Sequence, residues 1–356
     1  MQGLGGGRQD RLHLPQFSIL LPMRTGPPLR LLAPALLLCY GMTARLSWRC
    51  EQSLFPRVTG RHSQQAGEDD PHGQARASQR LGQTADSLFA EYHFQNFNRD
   101  RLQVRYQVTK KSYAPYCDGF WYSKADLDAI DRWLNNARQG AYKLAVDTHK
   151  TQSQLDKAMA NLKAEFERRR RDYLVSKGFK LLAGNVVEAD VPAMVKRSVT
   201  ALQPVAIALD SVSVRNGYDS ETLVGAAAAM VQTALYYRIP PDLEEGKHTG
   251  GILPPAMSMV RGWGDCDTKT GVLASILSNW PNVRIVGIAV PDHYLMAILR
   301  LPTKGDAFVE WQGLRYVLIE PAGPAWLPPG QVGVDTMPML QAAEGFRVEP
   351  FSSSSG

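Results

Sequence analysis

Two different hydrophobic periods divide the middle of the chain. Residues 102–108 alternate between apolar and polar side chains, which predicts a short strand or an extended arm. Farther on, apolar residues recur every three or four positions, at Leu127, Ile130, Leu134, Ala137, Ala141, Leu144, Leu155, Met159, Leu162 and Phe166. That spacing predicts a long helical region, either one helix bent at Gly140 or a pair of helices. We therefore predict a mainly helical N-terminal region over residues 87–182.

The pattern changes in residues 183–330, which we predict to be the core. Residues 191–205 are apolar but contain Pro192 and Pro204, which we interpret as breaks. A helix is expected to follow with Ser220 as its N-cap. Its apolar stripe comprises Val224, Val231 and Leu235. A second face carries Gly225, Ala228, Ala229 and Gln232, and such small residues permit a close approach of another element.

Strand patterns dominate the end of this core. Residues 283–290, Val-Arg-Ile-Val-Gly-Ile-Ala-Val, are predicted to form a buried strand, and Pro291-Asp292 is a typical turn. His293 opens the next predicted strand, and residues 314–320 form a further strand that ends at Glu320. The predicted fold class is therefore α+β, with a helical N-terminal region followed by a core that contains a sheet.

Cys266 lies where a glycine-bounded loop is expected to turn into a helix. The stretch at 264–269 reads Gly-Asp-Cys-Asp-Thr-Lys, and the apolar residues after it repeat at helical spacing. In the first helical turn, unpaired N–H groups and the helix dipole favour a thiolate, so Cys266 is the candidate nucleophile. Asp265 and Asp267 flank it, and their charge raises the pKa of a thiol. We therefore expect them to cap the helix.

A nucleophilic cysteine needs a base and an acid that orients the base. His293, at the start of a strand, is placed to take the thiol proton and return it to a leaving amine. Glu320 and Glu310 both qualify as the acid that fixes the imidazole tautomer. If the strands form a strict up-and-down meander, the strand that ends at Glu310 returns to the end of the sheet where His293 lies. If residues 308–313 instead form a side hairpin, Glu320 lies at that end. The strand pattern alone leaves both open.

These residues resemble the bacterial transglutaminase-like cysteine superfamily. The resemblance rests on Gly-Asp-Cys-Asp around Cys266, on His293 at a strand start, and on Tyr-Val-Leu-Ile-Glu-Pro around Glu320. Upstream, Met-Val-Gln at 230–232, Tyr-Tyr at 236–237 and two proline-rich loops add to it. The resemblance covers about residues 220–325. It implies a papain-like core, in which a cysteine-bearing helix packs on an antiparallel sheet that carries the histidine and the acid.

The resemblance also assigns roles to individual residues. It favours Glu320 over Glu310 as the acid, although many members have aspartate there. It implies that the Gln232 amide and the backbone N–H of Cys266 stabilise the oxyanion of a tetrahedral intermediate. Trp263, three residues before the cysteine, is expected in the core or at the rim of the cleft. His248 lies in a glycine-rich loop and is expected to be exposed.

Composition narrows the range of partners. The chain has 356 residues and a net charge of +6, and four of its arginines precede residue 31. The remaining excess is small, so we expect no nucleic-acid partner. No histidine–cysteine spacing is typical of a zinc site, no acidic loop is typical of an EF-hand, and no glycine-rich loop cradles phosphate. We therefore predict no metal and no cofactor.

The two ends of the chain have separate predictions. Residues 1–44 have the basic and apolar regions of a signal peptide, with Met23 as an alternative start. A cleaved signal predicts a periplasmic or secreted protein, and an uncleaved one an inner-membrane anchor that faces the periplasm. Residues 45–86 are predicted to be a disordered linker and residues 331–356 a loosely ordered tail. After loss of Cys39, a disulfide between Cys50 and Cys117 would leave Cys266 free.

The predicted function is cysteine-dependent acyl transfer on protein or peptide amides through a thioester at Cys266. Water as the acceptor makes a peptidase or amidase, which we favour slightly because water is always present, and an amine makes a cross-linking transglutaminase. The alternative is a catalytically idle binding or assembly module of the cell envelope, with the helical region holding a partner protein.

Overall fold

A computed structural model of the chain describes residues 77–342 and 345–351, and it has a mixed α/β fold. The predicted signal segment, Met23, Cys39, Cys50 and most of the predicted linker lie outside the described residues. Within the described ranges, no helix is both long enough and apolar enough to span a bilayer.

The described chain begins with a three-stranded antiparallel meander. Its strands are β1 (Ser78–Gln83), β2 (Ser87–Gln95) and β3 (Arg101–Thr109), in the order β1-β2-β3. Tyr92 and Tyr106 are fully buried on its inner face, so the predicted strand at 102–108 is confirmed. However, β1 lies in the predicted linker, and β1 and β2 precede the helices of a region predicted to be mainly helical. β1 contains one apolar residue, Leu81, so its composition does not predict an ordered strand. Its order comes from backbone pairing with β2.

The helical region consists of a short helix and a helix pair. α1 spans Lys110–Asp118, the two-residue strand β4 is Tyr122–Ser123, and α2 (Lys124–Asp147) and α3 (Gln152–Ser176) form the pair. Gly140 lies inside α2, and the break comes at residues 148–151, where Thr151 starts α3 with a capping box. The alternative of two helices is therefore confirmed.

A long helix then crosses the back of the core. After the β5–β6 hairpin (Phe179–Leu181 and Val187–Ala189), α4 runs uninterrupted over Val191–Asn216. The predicted breaks at Pro192 and Pro204 were wrong. Pro192 lies in the first turn, where a backbone N–H has no helical partner, and Pro204 is accommodated within a helix that burial holds in place.

The next helices form the centre of the core. α5 (Ser220–Ala234) is buried all round from Val224 to Gln232, and its N-cap is Asp219 rather than Ser220, because the Asp219 carboxylate accepts from the Thr222 N–H. Short strands β7 (Tyr236–Tyr237), β8 (Leu243–Glu244) and β9 (Lys247–His248) follow. α6 (Pro255–Arg261), β10 (Trp263–Gly264) and α7 (Cys266–Leu277) complete this part.

A five-stranded antiparallel sheet faces α7. Its strands are β11 (Ile285–Val290), β12 (His293–Leu299), β13 (Phe308–Trp311), β14 (Leu314–Ile319) and β15 (Arg347–Pro350), in the order β13-β14-β12-β11-β15. α8 (Thr336–Gln341) precedes β15. The predicted loose tail at 331–356 therefore contains a helix and an edge strand. Pairing of β15 with β11 orders it, which its few apolar residues did not indicate.

Candidate active site

Cys266 is the first residue of α7, as the sequence predicts. Asp265 is the N-cap, and its carboxylate accepts from the Thr268 N–H at 3.1 Å. The Thr268 hydroxyl in turn accepts from the Leu253 N–H at 3.0 Å, so the start of the helix is fixed to the loop before α6. A Cβ on Gly264 would lie 2.3 Å from the Thr268 side chain, and this close approach explains the glycine at that position.

The sheet brings His293 and Glu320 together. β14 pairs directly with β12, with Met296 opposite Ile319, so Glu320 follows β14 at the end where β12 begins. His293 Nε2 lies 3.1 Å from Glu320 Oε1 and 3.0 Å from Oε2, and the Glu320 side chain is only 6% exposed. The imidazole is therefore held by a buried carboxylate, the arrangement that fixes a histidine tautomer.

Glu310 is not part of this pair. β13 pairs only with β14 and forms a side hairpin at the edge of the sheet, the second of the two topologies that the strand pattern left open. The Glu310 carboxylate points to solvent, where it accepts from Arg315 Nε at 3.0 Å.

Two further donors reach the Glu320 carboxylate. The Ala322 N–H donates to Oε1 at 3.3 Å, and the Thr336 hydroxyl donates to Oε2 at 3.1 Å. Thr336 is buried at the start of α8. The sequence analysis does not identify Thr336, because it predicts a loosely ordered tail over residues 331–356. The signal that was present is Asp335-Thr336, a typical helix start, ahead of Met337 and Leu340.

α7 packs directly on the strand that carries the histidine, through a hydrogen bond from the Thr270 hydroxyl to the Tyr294 carbonyl at 3.1 Å. Among the residues that the structure describes, no hydrogen bond joins Cys266 to His293. Instead, Cys266 Sγ donates to Asp267 Oδ1 at 3.4 Å. Asp267 also lies near enough to His293 for their charges to interact, so its carboxylate lies close to both reactive groups.

The electrostatics of this arrangement raise the pKa of both the Cys266 thiol and the His293 imidazole. Burial and the negative charges of Asp267 and Asp265 raise the pKa of Cys266 well above its ordinary value. For His293, burial favours the neutral ring. This effect of burial is outweighed by the hydrogen bond and charge of Glu320 and by the charge of Asp267. The pKa of His293 is therefore raised. Burial of the thiol and its acidic neighbours therefore oppose the formation of a thiolate in this conformation.

The two aspartates beside the cysteine differ in their contacts. Burial and repulsion from Asp267 raise the pKa of Asp265 to about 6, although Asp265 accepts hydrogen bonds as the helix cap. Burial also raises the pKa of Asp267, against the opposing effects of the Cys266 hydrogen bond and the His293 charge. The predicted capping role fits Asp265, whereas Asp267 accepts from the thiol.

Gln232 is hydrogen-bonded to the loop that follows Glu320. Its Nε2 group donates to the carbonyls of Glu320 at 2.7 Å and Leu327 at 2.8 Å, and its Oε1 accepts from the Leu327 N–H at 2.9 Å. Both amide hydrogens are thus engaged with the loop that follows Glu320, and the oxyanion role of Gln232 stays a prediction. Gln232 clamps the loop that follows the acid, and so determines where Glu320 leaves its strand.

Lys269, one turn after the cysteine, is a buried cation that sequence reasoning missed. Its ammonium donates to the carbonyls of Gln232 at 3.1 Å and Leu235 at 2.9 Å, at the C-terminal end of α5. Burial lowers the pKa of Lys269 to about 7, although the nearby charge of Glu320 opposes the shift. A lysine in an amphipathic helix is expected to face solvent. The sequence therefore gives no signal for the contact of Lys269 with the end of α5.

The rim of the site carries aromatic residues. β7 runs parallel to β10 and places Tyr237 opposite Gly264. Burial and the charges of Cys266, Asp265, Asp267 and Glu320 raise the pKa of the Tyr237 phenol to about 12, so it faces the site. Trp263 is half-buried at the rim, with the Arg238 guanidinium 4.6 Å from its ring centroid. His248, expected to be exposed, is half-buried in β9 and stacks on Tyr122.

The structure describes two of the four cysteines, Cys117 and Cys266. Cys117, in α1, bonds to no other described cysteine, and Cys50 lies outside the described residues. Within residues 77–342 and 345–351, no group of three or more histidine, cysteine or acidic side chains is placed to hold a metal ion.

Comparisons of the chain with protein-family models, curated proteins and solved structures gave no match. They therefore leave the resemblance suggested by the sequence to the motif residues and their order along the chain.

Proposed function

We propose that this protein is a cysteine-dependent acyl-transfer enzyme of the transglutaminase-like type, acting on protein or peptide amides. The observation that carries the proposal is the clamp of His293 Nε2 between the two oxygens of buried Glu320, beside the helix that starts at Cys266. A helix that starts at a cysteine and packs on a sheet bearing histidine and acid supports a papain-like core.

The chemistry that fits this site proceeds by general-base catalysis rather than from a preformed ion pair. Because the pKa of Cys266 is raised, its proton leaves as sulfur attacks the carbonyl carbon. Glu320 occupies Nε2, so Nδ1 of the neutral His293 is the nitrogen that receives the thiol proton. The same proton then passes to the leaving amine as the C–N bond breaks, which yields a thioester.

Before attack, the thiol has to leave Asp267. A rotation of the Cys266 side chain breaks the 3.4 Å contact and turns Sγ towards the imidazole. Water or an amine then attacks the thioester, with His293 again acting as the base, and the cysteine thiol is regenerated. We favour water, which makes a peptidase or amidase. A cross-linking transglutaminase uses an amine at the same step.

We propose backbone N–H groups and Tyr237 as donors to the oxyanion. The N–H groups of Cys266 and Asp267 lie in the first turn of α7, where no helical carbonyl accepts from them. Tyr237, on the rim, is a side-chain candidate for the same role. These donors are proposed in place of the amide, which is already hydrogen-bonded to the acid loop.

One observation favours a second candidate function. A raised thiol pKa is also what a non-catalytic cysteine shows, so an idle binding or assembly module is the competing proposal. Either candidate is proposed to be periplasmic or secreted if residues 1–44 are a cleaved signal, or anchored to the inner membrane if they are retained.

The test is the formation of an acyl-enzyme by the full chain with p-nitrophenyl acetate, located by peptide mass spectrometry. The proposal predicts acetylation at Cys266 that is lost in Cys266→Ser and strongly slowed in His293→Ala. Cys117, whose thiol pKa is also raised by burial, provides an internal reference. The acyl-transfer proposal fails if Cys266 is acetylated no faster than Cys117 and the rate is unchanged in His293→Ala. The binding or assembly module would then be the remaining proposal.

A further inference from the structure

The C-terminal segment, residues 331–342 and 345–351 of the described chain, contacts the candidate active site at two places. One contact comes from the start of α8 and the other from β15. The first contact is made to Glu320, and the second to Tyr294, which follows His293. None of the residues in this segment belongs to the motifs that predict the chemistry.

The first contact fixes the acid. The Thr336 hydroxyl donates to Glu320 Oε2 at 3.1 Å while the Ala322 N–H donates to Oε1 at 3.3 Å. Both carboxylate oxygens also face His293 Nε2. Thr336 is only 4% exposed, so water does not readily replace its hydroxyl. The two donors together set the rotation of the carboxylate plane, and hence the line along which it meets the imidazole.

The second contact holds the strand next to the histidine. Tyr294, which follows His293, donates its hydroxyl to Glu349 Oε2 at 3.0 Å. Lys180 Nζ and Arg347 Nε each lie 2.8 Å from the other oxygen of Glu349, and β15 pairs with β11 alongside. The C-terminal segment is thus anchored on the sheet by charge and backbone pairing, which gives Thr336 a fixed base.

We infer, on the basis of the acyl-transfer function proposed above, that Thr336 is a positioning residue that orients Glu320 towards His293. Its hydroxyl acts through the carboxylate, because its hydrogen bond goes to Glu320 rather than to the thiol. A carboxylate that lacks this donor is free to rotate, and it holds Nδ1 less well in the direction of the attacking sulfur.

The test compares hydroxyl and methyl at position 336 in the full chain. Thr336→Val removes the donor at constant size, Thr336→Ser restores it, and Val334→Thr is a control at an exposed position two residues away. Two quantities are measured: the rate of Cys266 acetylation and the downfield proton NMR signal of an imidazole N–H bonded to a carboxylate. Loss of that signal in His293→Gln and Glu320→Gln assigns it. Circular dichroism checks folding.

We expect acetylation to slow by about tenfold in Thr336→Val, the size of effect typical for loss of a hydrogen bond to a charged group. The downfield signal should broaden or vanish there, and both properties should be retained in Thr336→Ser and Val334→Thr. If Thr336→Val is unfolded, Thr336→Ala makes the same comparison without the added methyl group. Retention of both the rate and the signal in a folded variant without the hydroxyl overturns the inference.

The two proposals fail separately. If wild-type Cys266 is not acetylated, the acyl-transfer function fails, yet the NMR signal still decides whether Thr336 orients the acid. If wild-type Cys266 is acetylated but the signal does not depend on Thr336, only the positioning role fails.

Discussion

At the scale of single residues, the contacts of Asp267 determine the resting state of the site. Its carboxylate accepts from the Cys266 thiol and interacts with the charge of His293, so it stabilises the protonated forms of both groups. The helix start that favours a thiolate is thereby offset by a charge on the adjacent residue. Reactivity of Cys266 should therefore depend on Asp267 more than on the helix dipole.

Replacing Asp267 by asparagine should make the thiol more acidic. The substitution removes a negative charge and a charged acceptor for the thiol proton, and both changes lower the pKa of Cys266. A shift of one pKa unit corresponds to about a tenfold faster alkylation by iodoacetamide near neutral pH. Asp292→Asn, at the exposed residue before His293, should leave the rate unchanged. An Asp267→Asn rate equal to that of the wild type would show that Asp267 does not control the thiol.

Lys269 gives the molecule a dependence of stability on pH. Burial lowers the pKa of Lys269 from 10.5 in its ordinary state to about 7. Between these values the unfolded chain binds more protons than the folded one, so the contribution of this group to stability rises with pH and is lost as pH falls through the folded pKa.

The free energy of unfolding of the wild type should therefore rise relative to Lys269→Met, by roughly 3 kcal/mol between about pH 7 and about pH 9.5. Urea denaturation at several pH values measures this difference. Lys163→Met, at a lysine that is 70% exposed on the helix pair, should show no such trend. Parallel curves for wild type and Lys269→Met would mean that Lys269 is charged throughout.

At the scale of elements, the meander β1–β3 supports the loop that leads to the cysteine. Gln79, on β1, donates its amide to the Gly262 carbonyl at 3.0 Å, just before Trp263 and the start of α7. Tyr92, on β2, donates to the Met259 carbonyl in α6. The strand region is therefore part of the scaffold of the site, although it lies far away in the sequence.

A chain that begins at residue 87 should be less stable than one that begins at residue 77. It lacks the six residue pairs between β1 and β2 and the Gln79 contact, and it exposes the edge of β2. We expect the melting temperature to fall by several degrees or more, which corresponds to the loss of about 1–2 kcal/mol. Equal melting temperatures would show that β1 contributes nothing to the fold.

The sequence predicts elements well where the pattern is local. The helix period gave the α2–α3 pair, the strand period gave β3, β11, β12 and β14, and helical spacing placed Cys266 at the start of α7. Prediction from the sequence failed where strands are ordered by pairing with distant residues, as for β1 and β15. It also failed where burial overrides local preference, as at Pro204 in α4. The site shows the same division. His293 opens its strand as predicted, whereas Thr336, Lys269 and the contacts of Gln232 depend on tertiary packing.

At the scale of the whole molecule, burial is distributed unevenly. α5 and α7 are buried along nearly their full length, whereas Leu134 and Leu174 are the buried residues of α2 and α3. Near the turn of the helix pair, the described surface exposes Tyr142, Leu144 and Val146. The helix pair is therefore buried less deeply than the helices that form the core beneath the site.

Hydrogen exchange should therefore divide the molecule into two levels of protection. Amides in the middle of α2 and α3 should exchange faster than those of α5 and α7, because fewer buried apolar contacts resist their opening. Exchange followed by mass spectrometry measures both sets in one experiment. Equal protection that increases with protein concentration would instead show that the helix pair is covered by a second copy of the chain.

The most direct test of the central claim is the pH profile of Cys266 acetylation by p-nitrophenyl acetate, set beside that of its alkylation by iodoacetamide. If His293 removes the proton during attack, acetylation should rise with the titration of the imidazole. It should already be substantial below the pH at which alkylation reports a free thiolate. His293→Ala should abolish this early rise. Coincident profiles for the two reagents, unchanged in His293→Ala, would contradict the claim that Cys266, His293 and Glu320 act together.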